Sequence, residues 1–268
     1  ERPGEHTWKL TEAQKRGIKE MYLAGNSGAV VAKSFRIKDM TVYRILRKFK
    51  IKSRELTDAK RRIRLNESAF DEITEESAYW AGFLMADGSI KRHGGAHKIC
   101  LALGRTDAMH VGRFRDFLGS QHKIVNYHYS GSHPGTSVTI YSKRIVARLF
   151  ELGIVPNKTF TAKASDEIKN NRHFWRGVID GDGHIGFVTP YKKTYPTLLL
   201  VGARPLLEQF RNFADTIATG YNVNIYPKEN IFRIHFTAGS AFKLITALYN
   251  NCSVALDRKL AVANRILK

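Results

Sequence analysis

Two aspartates occupy corresponding places in a repeated segment of this chain. Tyr79-Trp80-Ala81-Gly82-Phe83-Leu84-Met85-Ala86-Asp87-Gly88-Ser89-Ile90 is matched by Phe174-Trp175-Arg176-Gly177-Val178-Ile179-Asp180-Gly181-Asp182-Gly183-His184-Ile185, with Trp, Gly, Asp, Gly and Ile recurring at an offset of 95. Each segment reads as a bulky helix that carries a glycine in its middle and ends at Asp-Gly. A mid-helix glycine costs about 1 kcal/mol of helix propensity. Close packing of one helix backbone on the other would offset that cost. Gly88 and Gly183 are suited to a left-handed C-cap. Asp87 and Asp182 would sit at the negative ends of their helix dipoles, which opposes a carboxylate. Bringing the two charges together sharpens the need for a cation.

The elements around these helices repeat as well. Leu101/Thr197, Leu103/Leu199 and Phe114/Phe210 match at an offset of 96, and Val125-Asn126 matches Val223-Asn224 at 98. Each copy reads in the order α-β-β-α-β-β-α. In the first, strands are expected at 89–92, 98–104, 123–129 and 137–141, with a turn at Gly94-Gly95 and helices at 108–118 and 144–152. In the second, strands are expected at 185–189, 197–202, 222–226 and 231–236, and helices at 205–217, 241–249 and 257–267. Strand pairs joined by short turns imply one antiparallel sheet per copy, with helices on one face and the other face free for a partner.

The chain has 268 residues and a net charge of +20, with 44 Lys+Arg against 24 Asp+Glu and a pI near 10.0. Residues 1–70 hold 18 of the basic and 8 of the acidic residues, so a quarter of the length carries half the excess charge. A polyanion is the partner this implies, with nucleic acid first. Two cysteines exclude a disulfide framework and a Cys-rich zinc site, and fit a reducing compartment. Ten histidines show no metal-ligand spacing and read as surface or partner-facing. No apolar run approaches the roughly 18 residues of a membrane span, and no signal segment opens the chain.

The basic N-terminal quarter reads as three helices. Leu10, Ile18, Met21 and Tyr22 form the first apolar stripe, which breaks at Gly25. Asn26 and Ser27 cap a second helix with Val30, Val31 and Phe35 inward. A third starts near Asp39, with Val42, Ile45, Leu46 and Phe49 inward and Thr41, Tyr43, Arg44, Arg47 and Lys48 on its outer face. This is a helix-turn-helix pattern whose last helix fits a DNA major groove. The stretch from Ala29 to Leu46 resembles units of resolvase- and invertase-like proteins. Arg36 stands where such turns commonly have Gly and is expected to need positive φ. The basic run that follows includes Arg61, Arg62 and Arg64. It reads as a solvated hinge or as an arm along phosphates or in a minor groove.

The two motifs, their spacing and the α-β-β-α-β-β-α order over about 195 residues resemble a single-chain LAGLIDADG homing endonuclease. The expected class is α+β, a duplicated LAGLIDADG core of two antiparallel sheets about a pseudo-twofold, preceded by a small all-α domain. The expected domains are 1–52 (helix-turn-helix), 53–72 (basic linker), 73–164 (first repeat) and 165–268 (second repeat).

The resemblance implies a sequence-specific double-strand break with short 3′ overhangs, made by metal-dependent phosphodiester hydrolysis. It implies Asp87 and Asp182 as metal-binding and catalytic acids, with the carbonyls of Ala86 and Gly181 sharing two or three Mg²⁺ ions that Ca²⁺ or Mn²⁺ can replace. A basic residue is expected near each centre. Lys158 and Lys259 are the choices, against the alternative that both are ordinary surface lysines. Met85 takes the place that Asp180 keeps as first acid of the motif. Arg176 replaces a small residue, either shifting the helix pair or reaching a phosphate. Asp107 would orient water or cap a helix.

DNA contacts are expected from Lys91, Arg92, Lys98, Arg105, Lys123, Tyr127, His184, Lys192, Lys193, Lys228 and Arg233. The alternatives are a non-catalytic regulator on the same core, which the two retained aspartates disfavour, and an intron RNA maturase, which the helix-turn-helix disfavours. The expected protein is a monomer that binds duplex DNA without a protein partner. It is expected in the cytoplasm or another intracellular compartment of a phage, bacterial or organellar host, free-standing or intron-encoded.

Overall fold

The described residues of the first unit form three short helices: α1 (Glu12–Leu23), α2 (Gly28–Phe35) and α3 (Asp39–Lys48). The computed structural model describes residues 10–51, 63–93, 96–128 and 133–268. The chain divides into two units, Glu1–Ile63 and Arg64–Lys268. Thr11 and Gln14 close a capping box on α1, and the Ser27 hydroxyl accepts from Val30 N to start α2. Arg36 ends α2 at φ 50°, the left-handed value expected for this non-glycine turn. Ile18, Tyr22, Val31, Ala32, Val42, Ile45 and Leu46 form the small core. Val30 differs from expectation, being 47% exposed, and Ala32 takes the inward place.

The second unit is α+β and duplicated. In the first repeat, α4 (Glu75–Asp87) runs directly into β1 (Gly88–His93), followed by β2 (Ala96–Gly104), α5 (Ala108–Phe117), β3 (Ile124–Tyr127), β4 (Gly135–Tyr141) and α6 (Lys143–Glu151). The second repeat follows the same order: α7 (Arg172–Asp182), β5 (Gly183–Val188), β6 (Tyr195–Gly202), α8 (Arg204–Ile217), β7 (Ile225–Lys228), β8 (Ile231–Thr237) and α9 (Ala238–Tyr249). A further helix, α10 (Asp257–Ile266), closes the chain. Each repeat holds a four-stranded antiparallel sheet, ordered β1-β2-β4-β3 in one and β5-β6-β8-β7 in the other.

The register revises two of the sequence matches. Gly88 pairs with Leu101 and Gly183 with Leu200, so Leu101 corresponds to Leu200 rather than to Thr197. The β5–β6 connection, residues 189–194, is four residues longer than the one at 94–95, and that insertion moves the offset from 95 to 99. Likewise Ile124 pairs with Val138 and Ile225 with Ile234, so β7 begins after Val223-Asn224. Residues 64–72, read as the end of the linker, lie on the core of the first repeat: Phe70 is 1% exposed and Asn66 N donates to Leu118 O.

The helix pair α4/α7 is the centre of the unit. A Cβ on Gly82 would lie 1.9 Å from Phe174 O, and one on Gly177 would lie 2.1 Å from Tyr79 O. The two backbones touch at reciprocal points, as the mid-helix glycines led one to expect. Trp80 packs on Phe114 and Trp175 on Phe210, with ring centroids 5.2 and 5.1 Å apart. Both tryptophans are buried, each worth about 1.5–3 kcal/mol for a large apolar side chain. Thr74 caps α4 with a capping box and Asn171 caps α7. These anchors set where each helix ends, and so where its last residue projects.

Candidate active site and nucleic-acid interface

Asp87 and Asp182 are the last residues of α4 and α7. The chain turns at once into the first strand of each sheet. Gly88 and Gly183 are extended, at φ −75° and −92°, rather than left-handed as the sequence suggested. Glycine is needed there for space, because a Cβ would lie 2.6 Å from Leu84 O in one copy and 2.7 Å from Ile179 O in the other. Gly181 faces the partner helix: its Cβ would fall 2.3 Å from Ala86 Cβ and 3.3 Å from Asp87 Oδ2. The two helix ends therefore meet at the acids.

Both carboxylates keep exposed surface, yet the surrounding protein displaces much of their water. That desolvation raises both pKa values. Asp182 is pushed up to about 6, with the charge of Asp87 adding to the rise while Lys158 and Lys259 oppose it. Lys259, Lys158 and Arg258 oppose the rise at Asp87. Among the described residues, neither carboxylate takes a hydrogen bond or an ion pair from the protein.

The two lysines occupy matching positions. Lys158 Nζ donates to Gly88 O, and Lys259 Nζ donates to Gly183 O at 2.6 Å. Lys259 also reaches Ile179 O at 2.6 Å and Asp180 O at 2.7 Å, capping the end of α7. Lys158 is half-buried and Lys259 buried, so neither is an ordinary surface lysine. Burial lowers both pKa values, that of Lys259 to about 8, against the pull of nearby carboxylates. The charges lie close enough to act on both aspartates without neutralising either directly.

Oxygen donors without protein partners at helix C-termini fit a hard divalent ion. Among the described residues no group of three or more His, Cys, Asp and Glu could hold a metal by itself. A metal here would take the two carboxylates and any nearby carbonyls, such as those of Ala86 and Gly181. Water or phosphate oxygens would complete its shell, which is the habit of Mg²⁺.

Three polar residues near the helices turn inward. Asp180 is fully buried and accepts from Tyr79 Oη at 2.8 Å, Tyr249 Oη at 2.6 Å and Leu256 N at 2.7 Å. It ties both repeats together, whereas Met85 in the other copy is plain core. Arg176 neither displaces the helix pair nor reaches outward. It is buried, donating to Leu248 O, Val254 O and Glu75 Oε1. His110 is a core histidine rather than a surface one, bonded to Tyr79 and held neutral by burial, its pKa lowered to about 3. Asp107 stands at the N-cap position of α5, but its side chain makes no cap hydrogen bond and pairs instead with Arg258 across the repeats at 3.1 Å.

Strand alternation sorts the basic residues. On the open face of the first sheet, Lys91 lies opposite Lys98, with Tyr141 on the other side of Lys98. Like charges directly opposite destabilise a sheet pair unless an anion offsets them. Arg92 has the other parity and lies over the Phe150 ring on the helix side. Tyr127, opposite Gly135, belongs to the open face, and Arg105 and Lys123 are exposed at strand ends.

On the second sheet His184 and Arg233 lie on the open face, Lys228 lies opposite Ile231, and Lys192 and Lys193 are exposed in the β5–β6 connection. His235 and Tyr226 share this face, where the His235 ring is bonded to the buried Thr197 hydroxyl.

In the first unit, Arg44, Arg47 and Lys48 are exposed on α3 and Thr41 is half-buried. Tyr43 does part of the packing: it meets Tyr22 edge-on, and its hydroxyl lies 2.4 Å from where a Gly28 Cβ would be. Arg64 is exposed. Arg61 and Arg62 lie outside the described residues.

No protein-family model and no curated protein matches this chain. Solved structures do. I-SmaMI bound to an uncleaved DNA target with calcium ions is similar at a TM-score of 0.51 and 12% identity, covering 73% of this chain and 91% of that one. The meganuclease I-SmaMI bound to uncleaveable DNA with a TTCT central four is similar at 0.50 and 10%, covering 72% and 90%. I-SmaMI is a LAGLIDADG homing endonuclease. The chain therefore has the LAGLIDADG fold, with both repeats in one polypeptide. Among the described residues, no helix is long and apolar enough to cross a membrane, and Cys100 and Cys252 are free thiols.

Proposed function

We propose that this protein is a sequence-specific DNA endonuclease that makes a double-strand break with short 3′ overhangs by metal-dependent hydrolysis. One observation carries the reading. Two carboxylates without protein partners among the described residues meet at the ends of a glycine-packed helix pair, between two sheets whose open faces carry Lys91, Lys98, His184 and Arg233.

Asp87 and Asp182 would hold the metal, with the carbonyls of Ala86 and Gly181 beside them. Divalent ions supply Lewis acidity toward the phosphoryl oxygens and lower the pKa of the attacking water. The carboxylates fix where that chemistry happens, one on each strand. Lys158 and Lys259, anchored on Gly88 O and Gly183 O, hold positive charge near the phosphates and favour the ionised form of both acids. Lys158→Met should slow one strand about 10²-fold, the scale for one charged group lost from a phosphoryl site. Strand-labelled cleavage products measure it.

The open sheet faces would read base edges and phosphates, and α3 would extend the footprint. Arg44→Ala and Arg47→Ala should each lower the slope of log affinity against log salt by about one if they meet phosphates. Filter binding over a salt series gives that slope. Deleting residues 1–63 should shorten the DNase I footprint; an unchanged footprint would remove that unit from recognition.

The decisive experiment incubates the protein with Mg²⁺ and a library of duplex sites and sequences the ends. Cleavage at one sequence with staggered ends supports the reading. Tight, sequence-specific binding without cleavage would make the protein a regulator. Preference for folded RNA over duplex DNA would make it a maturase.

A further inference from the structure

The two centres are not equivalent. Asp107 follows β2 in the first repeat, and Arg258 precedes Lys259 in the second. Arg258 Nε donates to both Asp107 oxygens, at 3.1 and 3.3 Å. Both charges are felt at Asp87. The backbone carrying Arg258 is fixed by its neighbour, since Lys259 Nζ is tied to three carbonyls.

The matching place beside Asp182 is built differently. Helices α5 and α8 begin at Ala108 and Arg204, so Asp107 corresponds to Ala203. Lys158 and Lys259 hold corresponding carbonyls, so Arg258 corresponds to Asn157. Where the first centre has an ion pair, the second has a cavity of about 180 Å³ lined by Asp182, Lys158 and Ala203.

We propose that Arg258 is a phosphate-contacting residue for one strand only, with Asp107 as the positioning residue that holds it beside Asp87. Asp107 engages Nε, and the two Nη groups have no protein partner among the described residues. That end of the guanidinium is the one that matches a phosphate bidentately. The Arg258 side chain is 55% exposed, which leaves it reachable by a backbone lying over the site. The strand served by Asp182 is cut without such a group. The two strands are then cut at different rates, through a nicked intermediate whose identity this pair sets. The inference rests on the endonuclease reading and assigns a role that reading does not contain.

The test uses the full-length protein, Mg²⁺ and a supercoiled plasmid carrying a cleavable site, alongside duplexes labelled on either strand. Arg258→Ala should slow one strand about 10²-fold, the scale for one lost charge-stabilising donor. It should be the strand that Asp87→Asn slows more. The other strand should stay within about twofold, and open-circular plasmid should accumulate. Asp107→Asn should affect the same strand less, and Arg258→Lys should restore part of the rate. An unchanged Tm in each variant separates this from misfolding. Equal slowing of both strands, no slowing, or slowing of only the other strand would overturn the proposal while leaving the endonuclease reading intact. A wild-type protein that cuts no site would overturn both.

Discussion

Asp87→Asn/Asp182→Asn should bind its DNA site and make no double-strand break. Each carboxylate is an essential anchor in the proposed chemistry, worth several kcal/mol of transition-state stabilisation. At about 1.4 kcal/mol per decade, the loss is roughly 10³-fold or more per strand. Asp87→Asn alone should leave a nicked product, or stop both strands if the centres are coupled. Continued cutting by the double variant would remove these residues from the mechanism.

The same variant should also be more stable than the wild type in metal-free buffer. The folded-state pKa of Asp182, about 6, lies above the ordinary 3.8. Between those values the folded protein binds more protons than the unfolded chain, so stability falls as pH rises through that window. Above about pH 6 the full cost of the charge is present. Asparagine removes the charge and its cost. Mg²⁺ should raise the Tm of the wild type by binding the native state and should leave the double variant unmoved. Calorimetry at pH 4 and pH 7.5, with and without Mg²⁺, reads both effects. A double variant that melts below the wild type at pH 7.5 would show that the acids stabilise the fold.

The second large effect belongs to the helix crossing. Gly82→Ala places a methyl group 1.9 Å from Phe174 O, and Gly177→Ala places one 2.1 Å from Tyr79 O. Both obstacles are backbone, which cannot turn aside as a side chain can. Overpacking costs about 1–3 kcal/mol even where side chains yield. Each substitution should therefore cost about 3 kcal/mol or more, a fall in Tm of roughly 6–12 °C for a unit of this size. The gain in helix propensity from glycine to alanine, about 1 kcal/mol, is too small to compensate. The helices would separate, and Asp87 and Asp182 would separate with them. Cleavage should fall by more than the Tm change explains, measured below the melting range. A stable, active Gly82→Ala protein would mean that the contact is looser than this geometry.

Much of this was legible in the chain because it depends on local pattern. Trp80/Trp175, Gly82/Gly177 and Asp87/Asp182 recur at one offset, and their order fixes helix ends and sheet starts. Lys158 and Lys259 were found through the resemblance; their shared use of a strand-start carbonyl was not visible, because it depends on a fold-back across some 70 residues. The match of Leu101 to Thr197 failed because a longer hairpin connection shifts register without changing the apolar character of the strands. Lys91 and Arg92 were both assigned to DNA, although adjacent strand residues face opposite ways, and Arg92 rests on Phe150.

By itself the sequence determined the duplication, the two acids, the helix-turn-helix pattern and the excess of positive charge. These follow from residue type and spacing, which act over a few residues at a time. Tertiary structure decided what each polar residue meets. It placed Arg176 and Asp180 inside, gave Gly88 and Gly183 a steric rather than a conformational reason, and set Asp107 against Arg258 beside Asp87. Partners far apart in sequence meet only when two sheets and their helices have packed. The burial that raises one carboxylate and lowers one lysine exists only after that packing.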